Sequence, residues 1–467
     1  MIYLRKIISL IFVIIMFVNC SFGKTAQTVH VTAEGAIFGG DNADSVSLDL
    51  KFDTNWVTTL SNTIYNSSLA EFSAVLCDDV YFRSKDLAKG TQNRVTLNGE
   101  ESTYSQTSLL EKLGYKDVKF IESFKQKSYD GDSNDSVTML LGYKNVDNKF
   151  DSFIFVLRGC FSAGERLSVF DVGSISENYE KLTGAHPEWT DKNAFKGFDI
   201  AANRAMEFIS DYISEHDAPE RINTAFTTGH SRGASLANII GARLEKDSSV
   251  KSYTYTFNTM AFTSDEEAPS YKTIFNIFDE NDYYSNPLPF GEEKLFRYGR
   301  NISVDIAKNA QIKKEIATLK GRDDYICIPA EEKAEYDALF GKCFPDRASL
   351  YTLKTRTEKL STVEEMNERF EEISKNISDL GFTSFAEADK NANEKTVTVS
   401  YCGAALLYGL AQIQSYGEPA YNAVISIFGS DTDFCRLSEI MQNNLAQTTG
   451  GHLLINGYVT AKYIKYI

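Results

Sequence analysis

The apolar positions of this chain change period several times. Val46, Leu48, Leu50 and Phe52 alternate with polar residues, as a half-buried strand should. Residues 57–76 follow, and Leu60, Ile64, Leu69, Phe72 and Leu76 predict a helix there. Another helix is expected over 107–113. The apolar runs 137–143 and 152–157 read as two strands, joined through 145–149 as a hairpin. Residues 198–213 predict a helix, and 250–257 and 274–278 predict strands. Strands that alternate with helices in this way point to an α/β sheet.

The most informative stretch is Gly229-His230-Ser231-Arg232-Gly233. Ile222, Ala225 and Phe226 lead into it. Ala234, Leu236, Ala237, Ile239, Ile240, Ala242 and Leu244 follow at the spacing of a packed helix. This is G-x-S-x-G between a strand and a helix, the pattern of a nucleophile elbow. The glycines leave room for the backbone, and the turn exposes the serine oxygen. The start of the helix offers N–H groups to a developing oxyanion. The plainer alternative is a glycine-bounded turn between strand and helix.

Beyond residue 303 the pattern becomes helical. Segments 307–319, 330–339 and 363–380 are rich in Lys, Glu and other helix formers, and 404–414 is the most apolar helix of the region. Residues 389–394 look like a flexible loop. Asp130 to Asp135 faintly resembles a calcium loop. It lacks the sixth-position glycine, and Leu141 stands where the bidentate Glu belongs, so it reads as a solvated turn.

Composition narrows the classes. The chain has 467 residues, 43% of them apolar, enough for one large domain with an insertion or for two or three smaller ones. A net charge of −16 disfavours nucleic acid and anionic membranes as electrostatic partners. Residues 1–23 read as an export signal. Arg5 and Lys6 precede the apolar run 7–18, and Ser21 and Gly23 suit a cleavage site. Cys20 leaves a lipoprotein anchor as the alternative, so the expected location is secreted or cell-envelope. Of the other six cysteines, Cys327–Cys343 and Cys402–Cys435 are the local disulfide pairings to test, with free buried thiols the other reading. No Cys/His cluster suggests zinc, and no cofactor or metal is expected.

Four motifs together resemble the class 3, fungal-lipase-like family of α/β-hydrolases. They are the elbow, Arg158-Gly159-Cys160 at the end of a strand, Lys196-Gly197-Phe198 before the long helix, and Asn281-Asp282 followed by Pro287-Leu288-Pro289. They fall in the family's order and cover residues 130–292 or so, plus the C-terminus. The resemblance implies an α/β-hydrolase with a central, mostly parallel sheet. It also implies a carboxylic ester of a lipid or smaller acyl compound as substrate. Contact with a lipid surface would then be transient, and the protein partner is unknown. Three departures stand out. Arg232 replaces a small or apolar residue, Phe195 stands where the family has histidine, and Cys160 replaces a hydroxyl that helps line the oxyanion hole. A thiol donates more weakly than a hydroxyl, so the hole is expected to use backbone N–H groups of Cys160 and Arg232.

A serine needs a base and an orienting acid, which in this superfamily follow it in the order acid, then histidine. Of His30, His186, His216, His230 and His452, only His452 lies after Ser231. Position alone selects it. His230 reads as a packed or hydrogen-bonded support. Asp282 is the candidate acid, with Asp279 and Glu280 as rivals in the same loop.

The expected organisation has a hydrolase core over 24–300, a mainly helical insertion over 301–440 between acid and histidine, and a return to the core over 441–467. The insertion could cap the site or serve as a scaffold. The expected activity is ester hydrolysis by Ser231, His452 and Asp282. Two alternatives stay open: the same machinery acting on thioesters or amides, and a non-catalytic binding protein that keeps the fold.

Overall fold

The computed structural model describes residues 27–34, 45–81, 93–97, 100–104, 108–123, 137–160, 163–320, 325–429, 432–445, 447 and 452–464. The export segment with Cys20, the 130–135 turn and Gly450-Gly451 lie outside the described residues.

A seven-stranded sheet carries the site. Its strands are β1 (Lys116–Ser123), β2 (Val137–Val146), β3 (Phe150–Leu157), β4 (Ile222–His230), β5 (Val250–Phe257), β6 (Ile274–Asp279) and β7 (Arg300–Val304). They lie side by side in chain order. β1, β2 and β3 pair antiparallel, and β3 through β7 run parallel. Parallel strands need both faces covered, and alternate residues of β3 do this. Phe153, Phe155 and Leu157 enter one apolar cluster, with the helices Lys196–His216 and Arg232–Lys246. Ile154 and Val156 enter the other, with the helices Ser67–Asp79 and Leu454–Tyr463.

The helix expected over 57–76 is two helices, Trp56–Thr59 and Ser67–Asp79. Sheet residues interrupt it. The Tyr253 hydroxyl holds the Leu60 carbonyl at 2.8 Å, and the Tyr255 hydroxyl accepts the Asn66 N–H at 3.0 Å. Asn66 then caps the second helix through Leu69 N–H, and Ile64 points to solvent.

Sheet pairing and packing continue past residue 301. β7 extends the sheet, and Ile312 and Ile316 of helix Ala310–Lys320 join the second apolar cluster. The region beyond is mainly helical but holds a three-stranded antiparallel sheet. There Thr396–Cys402 lies between Leu353–Lys359 and Ala386–Asn391. The loop expected over 389–394 is therefore strand and tight turn. Its polar residues lie on an edge strand, whose outer positions face water, while Val397, Val399 and Tyr401 of the middle strand are buried. No disulfide joins the six described cysteines, so neither Cys327–Cys343 nor Cys402–Cys435 is bonded.

Candidate active site

Ser231 sits where β4 meets helix Arg232–Lys246, at φ 59° and ψ −129°, a conformation that L-residues adopt rarely. A side chain at Gly229 would place Cβ 2.2 Å from the Gly233 carbonyl oxygen. The elbow thus closes on its own backbone and admits only glycine there. Ser231 N–H donates to the Phe257 carbonyl at 2.9 Å, and Ala234 N–H returns to the Ser231 carbonyl at 2.9 Å. The turn is tied to β5 on one side and to the helix on the other.

The loop after β6 brings in the carboxylate. Asp282 is buried, and its oxygens lie 3.0 and 3.1 Å from Nδ1 of His452. Asn258 Nδ2 donates to it at 2.8 Å, Ser285 Oγ at 2.7 Å and Tyr284 N–H at 3.0 Å. Burial alone would raise its pKa. The adjacent His452 and the donors Asn258 and Ser285 outweigh this and hold it below the usual carboxylate range. His452 precedes helix Leu454–Tyr463, and its ring lies 4.3 Å from that of Tyr284. Its Nε2 is buried with no hydrogen-bond partner among the described residues. His452 and Ser231 line the same cavity, of about 240 Å³.

The rival carboxylates point elsewhere. Asp279 accepts from Tyr325 Oη, from both nitrogens of Asn281 and from Ile306 N–H. Burial pushes it up to about 6 against those hydrogen bonds. Exposed Glu280 takes the Ser303 hydroxyl at 3.0 Å.

Cys160 lines the cavity beside Ser231. Gly159 brings it there, since a Cβ at 159 would lie 2.0 Å from Tyr81 Oη and 2.6 Å from the His230 carbonyl. Burial pushes the Cys160 thiol up to about 12 against the opposing charge of Arg232. It is a neutral S–H at neutral pH and a poor nucleophile. Arg232 takes the first helical position, where N–H groups have no acceptor within the helix. Its side chain is buried, and Nε donates to Ser168 Oγ at 2.8 Å. That contact ties the elbow to helix Ala163–Val169 and accounts for a long polar side chain after the serine.

His230 bridges two distant segments. Its Nε2 is 2.9 Å from the His452 carbonyl and its Nδ1 is 3.0 Å from Tyr81 Oη. A carbonyl only accepts, so Nε2 carries the proton and Nδ1 accepts from the tyrosine. Burial, helped by nearby His452, pulls the ring down to about 3. The folded value lies below the ordinary 6.5. The stability it contributes is therefore complete above 6.5 and falls away as pH drops from 6.5 toward 3. We expect wild type to lose about 2–3 kcal/mol more than His230→Gln between pH 8 and pH 4.5. Denaturant midpoints at the two pH values measure this, and equal losses would refute it.

Tyr81, Asn258, Ser285, Tyr284 and Gln414 went unnoticed in the sequence. Each is a common residue with no local motif, and all but Ser285 matter through a partner distant in the chain. Gln414 bonds Tyr284 Oη, which brings helix Gly403–Tyr416 to the cavity wall.

The chain has the α/β-hydrolase fold. Its basis is the sheet order, the strand–elbow–helix turn and the placement of the serine, acid and histidine segments at one end of the sheet. No family model matches the chain, and no curated protein does. Parts of it are similar to solved lipases. One is the triacylglyceride lipase of Rhizomucor miehei, at 17% identity and TM-score 0.23, covering 36% of this chain and 60% of the lipase. A second is M37 lipase, at 12% identity and TM-score 0.28, covering 38% of this chain and 59% of the lipase. A third is a triacylglycerol lipase whose catalytic centre is described as a serine protease triad, at 15% identity and TM-score 0.24, covering 36% and 59%. The chain spans about 60% of the length of the lipases that it overlaps.

Proposed function

We propose that this protein is a serine hydrolase that cleaves carboxylic esters of lipids or smaller acyl compounds. The supporting observation is His452. Its Nδ1 is held by Asp282, and its unpartnered Nε2 shares a cavity with Ser231. In this reading Nε2 takes the hydroxyl proton as Ser231 Oγ attacks the ester carbonyl. Asp282 keeps the proton of Nδ1 in place and stabilises the imidazolium. Backbone N–H groups of Cys160 and Arg232 receive the oxyanion. The imidazolium gives its proton to the departing alkoxide, leaving an acyl-Ser231. Water, deprotonated by His452, then attacks the acyl carbonyl, and the proton returns to Ser231 as the acid leaves. Val169, Phe170, Met260 and Leu453 line the cavity and suit an apolar acyl chain.

A fluorophosphonate probe tests the nucleophile. Intact mass should show one covalent adduct on wild type and none on Ser231→Ala, and only wild type should hydrolyse p-nitrophenyl butyrate. Equal labelling or equal hydrolysis in the two proteins would remove the serine mechanism. No labelling of folded wild type would favour a non-catalytic binding protein.

A further inference from the structure

Among the described residues that line the active-site cavity, Arg166 is the one permanent charge. Cys160 is a neutral thiol, His230 a neutral imidazole, and the remaining wall is apolar, aromatic or amide, apart from Arg166 and the histidine and serine of the site. Arg166 is half-buried on helix Ala163–Val169 and lines the cavity. The acidic neighbours of that helix are engaged elsewhere. Glu165 pairs with Arg158 at 3.1 Å, and Asp171 with Lys196 at 2.9 Å. Among the described residues Arg166 enters no ion pair, and no carboxylate lines the cavity. Its charge is felt at the Cys160 thiol, beside the proposed nucleophile.

A guanidinium in the wall of an apolar cavity, with no counter-ion among the described residues, leaves a positive potential there. It also leaves a planar donor fork that matches carboxylate or phosphate oxygens in pairs. An arginine serving only as packing would gain from a carboxylate beside it, and among the described residues none lines this wall. We propose that Arg166 selects esters that carry a carboxylate or phosphate group within reach of the scissile bond. The acyl chain lies along Val169, Phe170 and Met260, and the anion meets the guanidinium. This rests on the ester-hydrolase reading above and names its substrate class.

Two matched pairs separate the sources of the anion. Mono(4-nitrophenyl) adipate differs from 4-nitrophenyl hexanoate by a terminal carboxylate on the acyl side. 1-Hexanoylglycerol 3-phosphate differs from 1-hexanoylglycerol by a phosphate on the alcohol side. In at least one pair, wild type should prefer the anionic ester about tenfold or more in kcat/KM. Arg166→Met should bring that ratio to about one, and Arg166→Glu should place it below one. A ratio near one in both pairs for wild type, or one that Arg166→Met leaves in place, overturns the proposal while ester hydrolysis itself stands.

If wild type cleaves none of the four, the hydrolase reading fails separately, and binding decides the role of Arg166. Calorimetry with Ser231→Ala should then show hexyl phosphate binding about tenfold tighter than hexanol. Adding Arg166→Met should abolish the difference. Equal binding of the two probes to Ser231→Ala overturns the proposal.

Discussion

Replacing Asp282 by Asn is expected to lower ester turnover by about 10⁴-fold with the fold retained, the loss known for this change in a serine protease. The carboxylate only accepts hydrogen bonds, and this forces the proton of neutral His452 onto Nδ1. An amide nitrogen in its place would donate to Nδ1 and drive the proton to Nε2. Nε2 could then no longer take a proton from Ser231. The charge that stabilises the imidazolium would be lost as well. Asn258 and Ser285 still donate to the remaining amide oxygen, so the loop after β6 should hold although the Tyr284 N–H loses its acceptor. Steady-state kinetics on p-nitrophenyl butyrate, with thermal melting beside it, measures the effect. Asp279→Asn is the control and should change turnover little, because Asp279 bonds Tyr325, Asn281 and Ile306. If Asp279→Asn causes the loss and Asp282→Asn does not, the acid is misassigned.

Gly233→Ala should destabilise the protein by about 3 kcal/mol or more. Its Cβ would lie 2.3 Å from the Leu157 carbonyl oxygen and 2.6 Å from the Arg158 carbonyl carbon. Both are backbone atoms at the end of β3, which pairs in register with β4 from Phe150 to Leu157. No side chain can swing aside to make room. Either the elbow helix lifts from the sheet or the strand ends separate, and both movements disturb Ser231. Gly184→Ala is the contrasting variant. Its φ of +79° makes alanine strained, yet its Cβ meets nothing within 4 Å. With ψ at 180° it should cost about 1–3 kcal/mol, all of it in its own backbone. Denaturant titration compares the two. A Gly233→Ala protein as stable as Gly184→Ala would show that the turn yields more easily than its geometry indicates.

Several features of this protein follow from short-range physics and are therefore legible in the chain. The hairpin of β2 and β3 shows in two apolar runs separated by a few polar residues. The elbow shows in the glycine spacing, because the backbone approach that excludes a Cβ lies within five residues. The candidate histidine follows from chain order, since His452 is the only one after Ser231.

Other features depend on what arrives from far away. Asp279 and Asp282 stand three residues apart, and the sequence favours Asp282 only through the resemblance of Asn281-Asp282 to a family motif. The turn of the loop aims Asp282 at His452 and Asp279 at Tyr325. The break at 60–66 is imposed by Tyr253 and Tyr255 from the sheet. The strands of the insertion carry polar residues because one of their faces meets water, and composition alone cannot separate that from a loop. The bridge from Tyr81 through His230 to the His452 carbonyl joins three segments, its bonded partners standing 149 and 222 positions apart in the chain. Periodicity and local sterics determined the sheet, the turn and the candidate nucleophile. Only the packing of distant segments decided which polar groups face one another, because the direction of a hydrogen bond is set by where both ends of it are held.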